Sequence, residues 1–263
     1  MTKRFQSITN KTAPAVAIAV VLLIWYVCSD REVIPAYMLP SPGQVARAFA
    51  GNFQIMLKQA CVTLQEACIG LLIGVALAFV IAVLMDRFEL LYKALYPILV
   101  ITQTIPTIAI APLLVLWMGF GMAPKITLVV ITTFFPIVIG LLDGYRAVDP
   151  DTVNFMRAMG ANRIQIFRHI KFPSALKSFY SGLKISASYA IVGAVVSEWL
   201  GGFEGLGVYM TRVKKAYAYD KMFAVIVFIS AISLILLGLV ALLEKLSMPW
   251  ENDNSESTER KRI

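Results

Sequence analysis

The stretch Asn154–Pro173, NFMRAMGANRIQIFRHIKFP, is a basic segment between two long apolar runs of the chain. Just before it, Asp149 can cap a helix whose first residue is Pro150, a position that tolerates proline. Gly160 can adopt the left-handed conformation that ends a helix, and Asn162 can cap the next one. The segment therefore predicts two short helices that meet at Gly160.

The second of these helices carries apolar side chains on one face. Ile164, Phe167 and Ile170 recur at helical spacing, whereas the basic residues point elsewhere. Pro173 then permits another helix to begin. Two interpretations follow from the pattern alone. The segment is either a connector lying on a membrane surface or an apolar knob shaped to dock into a partner protein.

The composition is that of a membrane protein that crosses the bilayer several times. Hydrophobic residues make up 59% of the chain and charged residues 15%. The net charge is +8, but the basic residues are scattered between apolar runs, which argues against nucleic-acid binding. The three cysteines have no metal-ligand spacing, so we interpret them as small apolar side chains. The first apolar run lacks a small-residue cleavage site, and we expect it to be a retained span.

Six apolar segments are long enough, or nearly so, to cross the hydrocarbon core. We predict an all-α membrane protein with six transmembrane helices and three regions: a tail at 1–11, a membrane domain at 12–245, and a disordered tail at 246–263. The six predicted spans are Thr12–Cys28, Ala60–Met85, Ala94–Met118, Ile126–Leu142, Ser178–Val196 and Met222–Leu243.

The distribution of lysine and arginine predicts the orientation. Most of them lie in the segments that share a side with the two termini, and this side includes the loop at about 149–173. The positive-inside rule therefore places both termini and this loop in the cytoplasm.

The third span is a candidate for the lining of a translocation path. Pro106 and Pro112 each remove a backbone donor, which a neighbouring helix or a water-filled cavity must compensate. The pattern predicts a bent helix, either lining a path or merely packing against its neighbours. Glu66 lies within or near the end of the second span, where an ionisable side chain is functional by default unless it reaches the solvated interface. The candidate path residues are Glu66, Gln103, Thr104, Pro106, Thr107, Thr133 and Glu198.

The predicted outer loop Ser197–Tyr219 contains four glycines within a few residues, which implies tight turns. We interpret Trp199, Gly205 and Gly207 as an outer gate or a docking face, the alternative being an ordinary interfacial turn. The sequence contains no nucleophile–base pair, no metal-ligand cluster and no phosphate-binding loop. We therefore expect no catalytic residue, no metal site and no cofactor bound by this chain.

The spacing GAxxxxxFxxIxxP, from Gly160 to Pro173, resembles the EAA loop of ABC-importer permeases. Asn154, Phe155 and Met156 replace the Glu-Ala-Ala of that pattern, and Phe172 replaces a leucine. In this family the short helices insert into a groove on the cytoplasmic ATPase. The resemblance implies a set of ATPase-coupling residues: Asn154, Met156, Gly160, Ala161, Ile164, Phe167, Ile170 and Pro173.

Further segments resemble the nitrate/sulfonate/taurine branch of these permeases: LPSPGQV at Leu39–Val45, IPTIAIAPLLVLWMGFG at Ile105–Gly121, and FFPIVIGLLDGYRAVDPD at Phe134–Asp151. Within that branch, SEWLGGFEGLGVYM followed by YAYDKMFA resembles permeases for pyrimidine precursors of thiamine, such as hydroxymethylpyrimidine. The resemblance implies a type I importer permease in a bacterial cytoplasmic membrane. Its implied partners are membrane lipid, a second copy of the chain, two ATPase subunits that bind ATP and Mg²⁺, and an external substrate-binding protein, but no nucleic acid.

Three alternatives remain at this point. The substrate belongs either to the pyrimidine class or to the sulfonate, taurine, nitrate or riboflavin classes handled by related permeases. A membrane component of an energy-coupling vitamin transporter also docks on ATPases through short helices, although the spacing around Gly160 and the six-span pattern argue against it. A membrane-embedded enzyme would need a cluster of ionisable or metal-binding residues in the spans, and the sequence offers none.

Overall fold

A computed structural model describes residues 2–31, 35 and 37–249, and over these residues the chain is helical without any strand. The elements in chain order are α1 (Thr2–Asp30), α2 (Pro42–Arg87), α3 (Glu89–Thr102), α4 (Thr107–Met118), α5 (Met122–Arg146), α6 (Pro150–Ala158), α7 (Arg163–Ile166), a π-helical turn (Phe167–Lys171), α8 (Phe172–Gly201), α9 (Leu206–Lys215) and α10 (Tyr219–Ser247).

The chain divides into two compact units. The first contains the residues up to Lys58 together with Tyr209–Phe228, and the second contains Gln59–Val208 and the chain from Ile229 onward. In the first unit, the Trp25 ring lies 5.9 Å from that of Phe223, and its indole N–H donates to the carbonyl of Pro40 at 3.0 Å. These contacts hold the end of α1 against the turn that precedes α2.

The second unit is built on close packing of α5 against α8. A Cβ added at Gly140 would lie 2.5 Å from the carbonyl oxygen of Ser178, and one added at Gly144 would lie 2.5 Å from the Cα of Ala175. Small residues let helix backbones approach in this way, which is the main packing device available in a membrane. The glycine at position 182 does the same from α8, where a Cβ would collide with the carbonyl of Pro136.

The second helix packs on α5 through two of its own glycines. A Cβ at Gly70 would lie 2.5 Å from Val129 Cγ1, and one at Gly74 would lie 2.5 Å from Thr133 Oγ1. The spacing of these two glycines predicts such a close approach, and the structure confirms it.

The predicted spans all fall on helices, but the count of six is not fully reproduced. Among the described residues, four helices are long and apolar enough to cross a membrane, and the number is five if the bent pair α3–α4 counts as one broken span and not as a re-entrant loop. The first predicted span lies on α1, whose apolar part, Ala15–Asp30, is shorter than these.

The third span is bent, as its prolines predict, but at one place only. Helices α3 and α4 meet at 100°, and Pro106 is the residue that caps α4. Pro112 lies inside α4, which continues through it.

Three expectations about boundaries need correction or fall outside the description. The expected outer loop at 197–219 is mostly helical, because α8 extends to Gly201 and α9 follows. Pro173 does not start a separate helix, since the residues from Arg163 to Gly201 form one span through the π-helical turn. Of the tail predicted to be disordered, residues 250–263 lie outside the described residues.

Candidate functional site

The segment between α5 and α8 folds as two capped helices. The Asp149 carboxylate accepts from the backbone N–H of Asp151 at 3.0 Å, with Pro150 opening α6. At the other end, Gly160 has a φ of +83°, and its N–H donates to the carbonyl of Arg157 at 2.9 Å. The N–H of Ala161 donates to the carbonyl of Met156 at 3.0 Å. This is a Schellman motif, which fixes the point where α6 stops.

The next helix starts with a reciprocal capping box. The Asn162 side chain accepts from the backbone N–H of Gln165 at 2.9 Å, and the Gln165 side chain accepts from the backbone N–H of Asn162 at 2.8 Å. Both ends of the Gly160 joint are therefore fixed by hydrogen bonds. The angle between α6 and α7 is set by the backbone, and the pair can act as a stiff element.

The apolar side chains of this helix pair divide into an exposed set and a packed set. Ile164 is 77% exposed, and Phe155 and Met159 of the first helix are also exposed. Phe167 instead packs on the ring of Tyr145, with 5.4 Å between centroids. The predicted face of Ile164, Phe167 and Ile170 is thus split: Ile164 points outward, while Phe167 and Ile170 are half-buried.

The remaining predicted coupling residues lie around the same joint. Asn154 is exposed on α6, Met156 is half-buried, and Pro173 is half-buried just after the π-helical turn. That turn is held to the end of α2 by Lys171, whose ammonium lies 2.7 and 2.8 Å from the two carboxylate oxygens of Asp86. No pattern in the sequence predicts that Lys171 pairs with Asp86.

A groove in the second unit consists of two adjoining cavities of about 490 and 210 Å³. Gln103 and Tyr189 line both of them. The larger cavity is otherwise lined by Phe135, Pro136, Ile139, Gly140, Asp143, Ser178, Ser181, Gly182 and Ile185, and the smaller one by Thr102, Ile105, Thr107, Ile110, Ile131, Thr132, Val192, Gly193 and Val196.

Only some of the predicted path residues line this groove. Gln103 and Thr107 do, but Thr104 lies in the turn after α3, where its hydroxyl donates to the carbonyl of Ile101 at 2.8 Å. Pro106 caps α4 beside the groove, and Thr133 is fully buried. The sequence pattern did not single out Tyr189, whose only signal was its place in an apolar span.

The two glutamates proposed for the path lie elsewhere, in one buried polar cluster. The ammonium of Lys125 lies 2.6 Å from a carboxylate oxygen of Glu66, and the exposed fractions of the two side chains are 6% and 0%. The carboxylate of Glu198, 1% exposed, accepts from the hydroxyl of Thr63 at 2.7 Å. Among the described residues, no cluster of three or more His, Cys, Asp and Glu side chains suits a metal ion.

The same cluster binds the backbone at the start of α9. The N–H groups of Gly205, Leu206 and Gly207 donate to Gln59 at 2.6 Å, to Thr63 at 2.9 Å and to Glu198 at 2.5 Å. These N–H groups lie at the start of α9, where side chains from α2 and α8 accept from them. We call this arrangement of Gln59, Thr63, Glu66, Lys125 and Glu198 around Gly205–Gly207 the outer clamp.

Two predicted outer-gate residues belong to this clamp. Gly205 has a φ of +119°, and a Cβ there would collide with the carboxylate of Glu198. A Cβ on Gly207 would lie 2.5 Å from the carbonyl oxygen of Val195. Trp199, the third of them, is partly exposed nearby on α8. The contribution of Lys125 was missed, because nothing in the sequence pairs it with Glu66.

The family model described as "Binding-protein-dependent transport system inner membrane component" matches residues 70–247. A probable ABC transporter permease from Haemophilus influenzae is 37% identical, over 85% of this chain and 91% of its own length. The formylaminopyrimidine transport permease of Halalkalibacterium halodurans is 34% identical, over 90% of this chain and 95% of its own. The taurine transport permease of Escherichia coli is 27% identical, over 90% of this chain and 88% of its own length.

The fold is also that of a solved transporter. The structure of a methionine ABC transporter in an inward-facing conformation covers 74% of this chain and 96% of its own, with a TM-score of 0.66 at 18% sequence identity. At that identity the likeness concerns the fold alone. Together, the similarities confirm the resemblance seen in the sequence.

Proposed function

The chain belongs to the family of binding-protein-dependent transport system inner membrane components, and we propose that it forms the membrane path of a bacterial importer for a pyrimidine precursor of thiamine. It is a multi-pass permease subunit of an ABC importer and is not itself an enzyme, because ATP hydrolysis is performed by a separate ATPase subunit.

The coupling part of this proposal is carried by one observation, the doubly capped helix pair around Gly160. Hydrogen bonds at Asn162 fix the joint of the pair, and the apolar side chains of Ile164, Phe155 and Met159 are not buried by any residue that the structure describes. Apolar side chains on a stiff, protruding element are what a groove in another protein would bury. We assign that groove to the ATPase, with both termini and this segment on the cytoplasmic side.

The transport part of the proposal uses the groove lined by Gln103 and Tyr189. Two copies of the chain would place their grooves around one path. ATP and Mg²⁺ binding by two ATPase subunits would draw the two helix pairs together. The movement would pass through the π-helical turn into α8 as a rigid-body rotation and open the path outward toward a substrate-binding protein. Hydrolysis would reset it.

The substrate class rests on the relative from Halalkalibacterium halodurans, which is named for formylaminopyrimidine transport. The taurine permease is less similar, at 27% identity, and supports a sulfonate substrate as the second candidate.

Reconstitution tests this proposal. The permease, its ATPase and its binding protein are placed in proteoliposomes, and uptake of radiolabelled formylaminopyrimidine is measured with and without ATP. We expect ATP-dependent uptake that requires all three components. Uptake of taurine and not of the pyrimidine would overturn the substrate assignment, and uptake without the ATPase would overturn the importer mechanism.

A further inference from the structure

We propose that the groove of the permease itself selects the substrate. Gln103, Asp143 and Tyr189 form a recognition subsite in it, which binds a flat heterocycle that is neutral or cationic and excludes anions. This inference rests on the proposed function and deepens it. It assigns a share of the specificity to the membrane subunit in addition to the binding protein.

The position of the three side chains supports a binding role. Gln103 and Tyr189 line both cavities and therefore lie where the two adjoin, while Asp143 lines the larger one. The side chain of Tyr189 is 50% exposed, like those of Ile185 and Val192, which also line the groove. A solute moving between the cavities would meet the amide and the phenol.

Their hydrogen-bonding capacity is unused. Three other hydroxyls of the groove donate to carbonyls of their own helices: Thr102 to Leu99 at 2.6 Å, Thr132 to Val129 at 2.9 Å, and Ser181 to Lys177 at 3.1 Å. The side chains of Gln103, Asp143 and Tyr189 make no hydrogen bond to any residue that the structure describes. They are available to a ligand.

The charge of the groove decides between the candidate ligands. The residues that line the two cavities include one carboxylate, Asp143, and no lysine, arginine or histidine. A sulfonate or nitrate would enter a low-dielectric groove without a counter-ion and beside a like charge, which is costly. A neutral or protonated ligand meets neither penalty.

The chemistry of the three groups matches an aminopyrimidine. A glutamine amide offers both a donor and an acceptor, so it can pair with a ring nitrogen and an exocyclic amino group at once. The Asp143 carboxylate accepts from a second amino hydrogen. The Tyr189 ring provides an apolar face against which a flat ring stacks, and its hydroxyl can donate a hydrogen bond to a polar atom of the ligand.

The test measures ligand binding to the permease–ATPase complex without the binding protein. Radiolabelled formylaminopyrimidine and radiolabelled ethanesulfonate, a sulfonate with a net negative charge, are the two probes, and the variants are Gln103→Leu and Tyr189→Phe. Thr104→Val is the matched control, because the Thr104 hydroxyl already donates to the carbonyl of Ile101 and Thr104 lines neither cavity. We expect the wild-type complex to bind the pyrimidine and not ethanesulfonate, with affinity about tenfold lower in Gln103→Leu, about threefold lower in Tyr189→Phe and unchanged in Thr104→Val.

The outcomes separate the subsite from the function on which it rests. Wild-type pyrimidine uptake in proteoliposomes, together with pyrimidine binding that neither variant changes, would overturn the subsite and leave the proposed function standing. Ethanesulfonate binding to the wild-type complex would overturn the charge argument. Should Gln103→Leu fail to assemble with the ATPase, Tyr189→Phe still tests the subsite, since it removes only one hydroxyl. An unchanged affinity of Tyr189→Phe for the pyrimidine would contradict the role of that hydroxyl.

Discussion

Breaking the ion pair of the outer clamp should destabilise the permease strongly. Lys125 and Glu66 are 6% and 0% exposed, with 2.6 Å between nitrogen and oxygen, so neither charge has water to replace its partner. Removing one member of a buried pair typically costs about 3–5 kcal/mol, because the other charge stays buried and uncompensated. Lys125→Met is the change of choice, since methionine keeps the length of the apolar stem.

The assay is thermal unfolding of the purified permease in detergent. A loss of about 3–5 kcal/mol corresponds to a fall in Tm of roughly 10 °C for a chain of this size. Adding Glu66→Gln to Lys125→Met should restore part of the loss, because the double change leaves no unpaired charge at position 66. Lys93→Met is the control, since its pair with Glu89 is 71% and 79% exposed and should contribute nothing measurable. A Tm of Lys125→Met equal to that of the wild type would refute the buried pair.

Two further changes test the glycine assignments. Gly160 has a φ of +83° and no atom within 4 Å of an added Cβ, so Gly160→Val should cost only backbone strain, about 1–3 kcal/mol. Membrane insertion should stay normal while co-purification of the ATPase falls, and Gly160→Ala should have a milder effect. Co-purification at the wild-type level would argue against the coupling role. Gly207→Ala should lower Tm and uptake, because its Cβ would lie 2.5 Å from the carbonyl oxygen of Val195. In Gly238→Ala the Cβ meets open space, so Tm and uptake should not change. Equal behaviour of the two variants would contradict the clamp.

Local signals in the sequence predicted the helix ends on either side of Gly160 well. Asp149, Gly160 and Asn162 act through hydrogen bonds to residues within five positions, so their residue types alone specify the two helix ends. The approach of α2 to α5 was predictable for a similar reason, since glycines four positions apart mark one helix face.

The outer clamp could not be predicted because its contacts are distant in sequence. Lys125 and Glu66 are 59 positions apart, and Thr63 and Glu198 are 135 apart. Which helix faces meet is decided by packing against several neighbours, and hydrophobicity inside an apolar span carries little of that information. The sequence consequently placed Glu66 and Glu198 on the path, whereas the structure buries them together around the start of α9.

The two prolines of the third span and Pro173 show a similar limit. Pro106 coincides with the break between α3 and α4, but Pro112 and Pro173 leave their helices continuous. Pro173 directly follows the wider π-helical turn and lies in the first turn of α8, where a missing N–H costs little. A proline in the sequence therefore marks a place where a helix can bend, and the surrounding packing decides whether it does.

Photo-crosslinking from Ile164 tests the central claim most directly, namely that the helix pair around Gly160 docks into the ATPase. A benzophenone side chain is placed at position 164 in one sample and at Phe120 in another, because both side chains are well exposed and Phe120 lies far from the coupling segment in the chain. The account predicts an adduct with the ATPase from position 164 and none from position 120. Absence of an ATPase adduct from position 164 in a complex that still transports would contradict it.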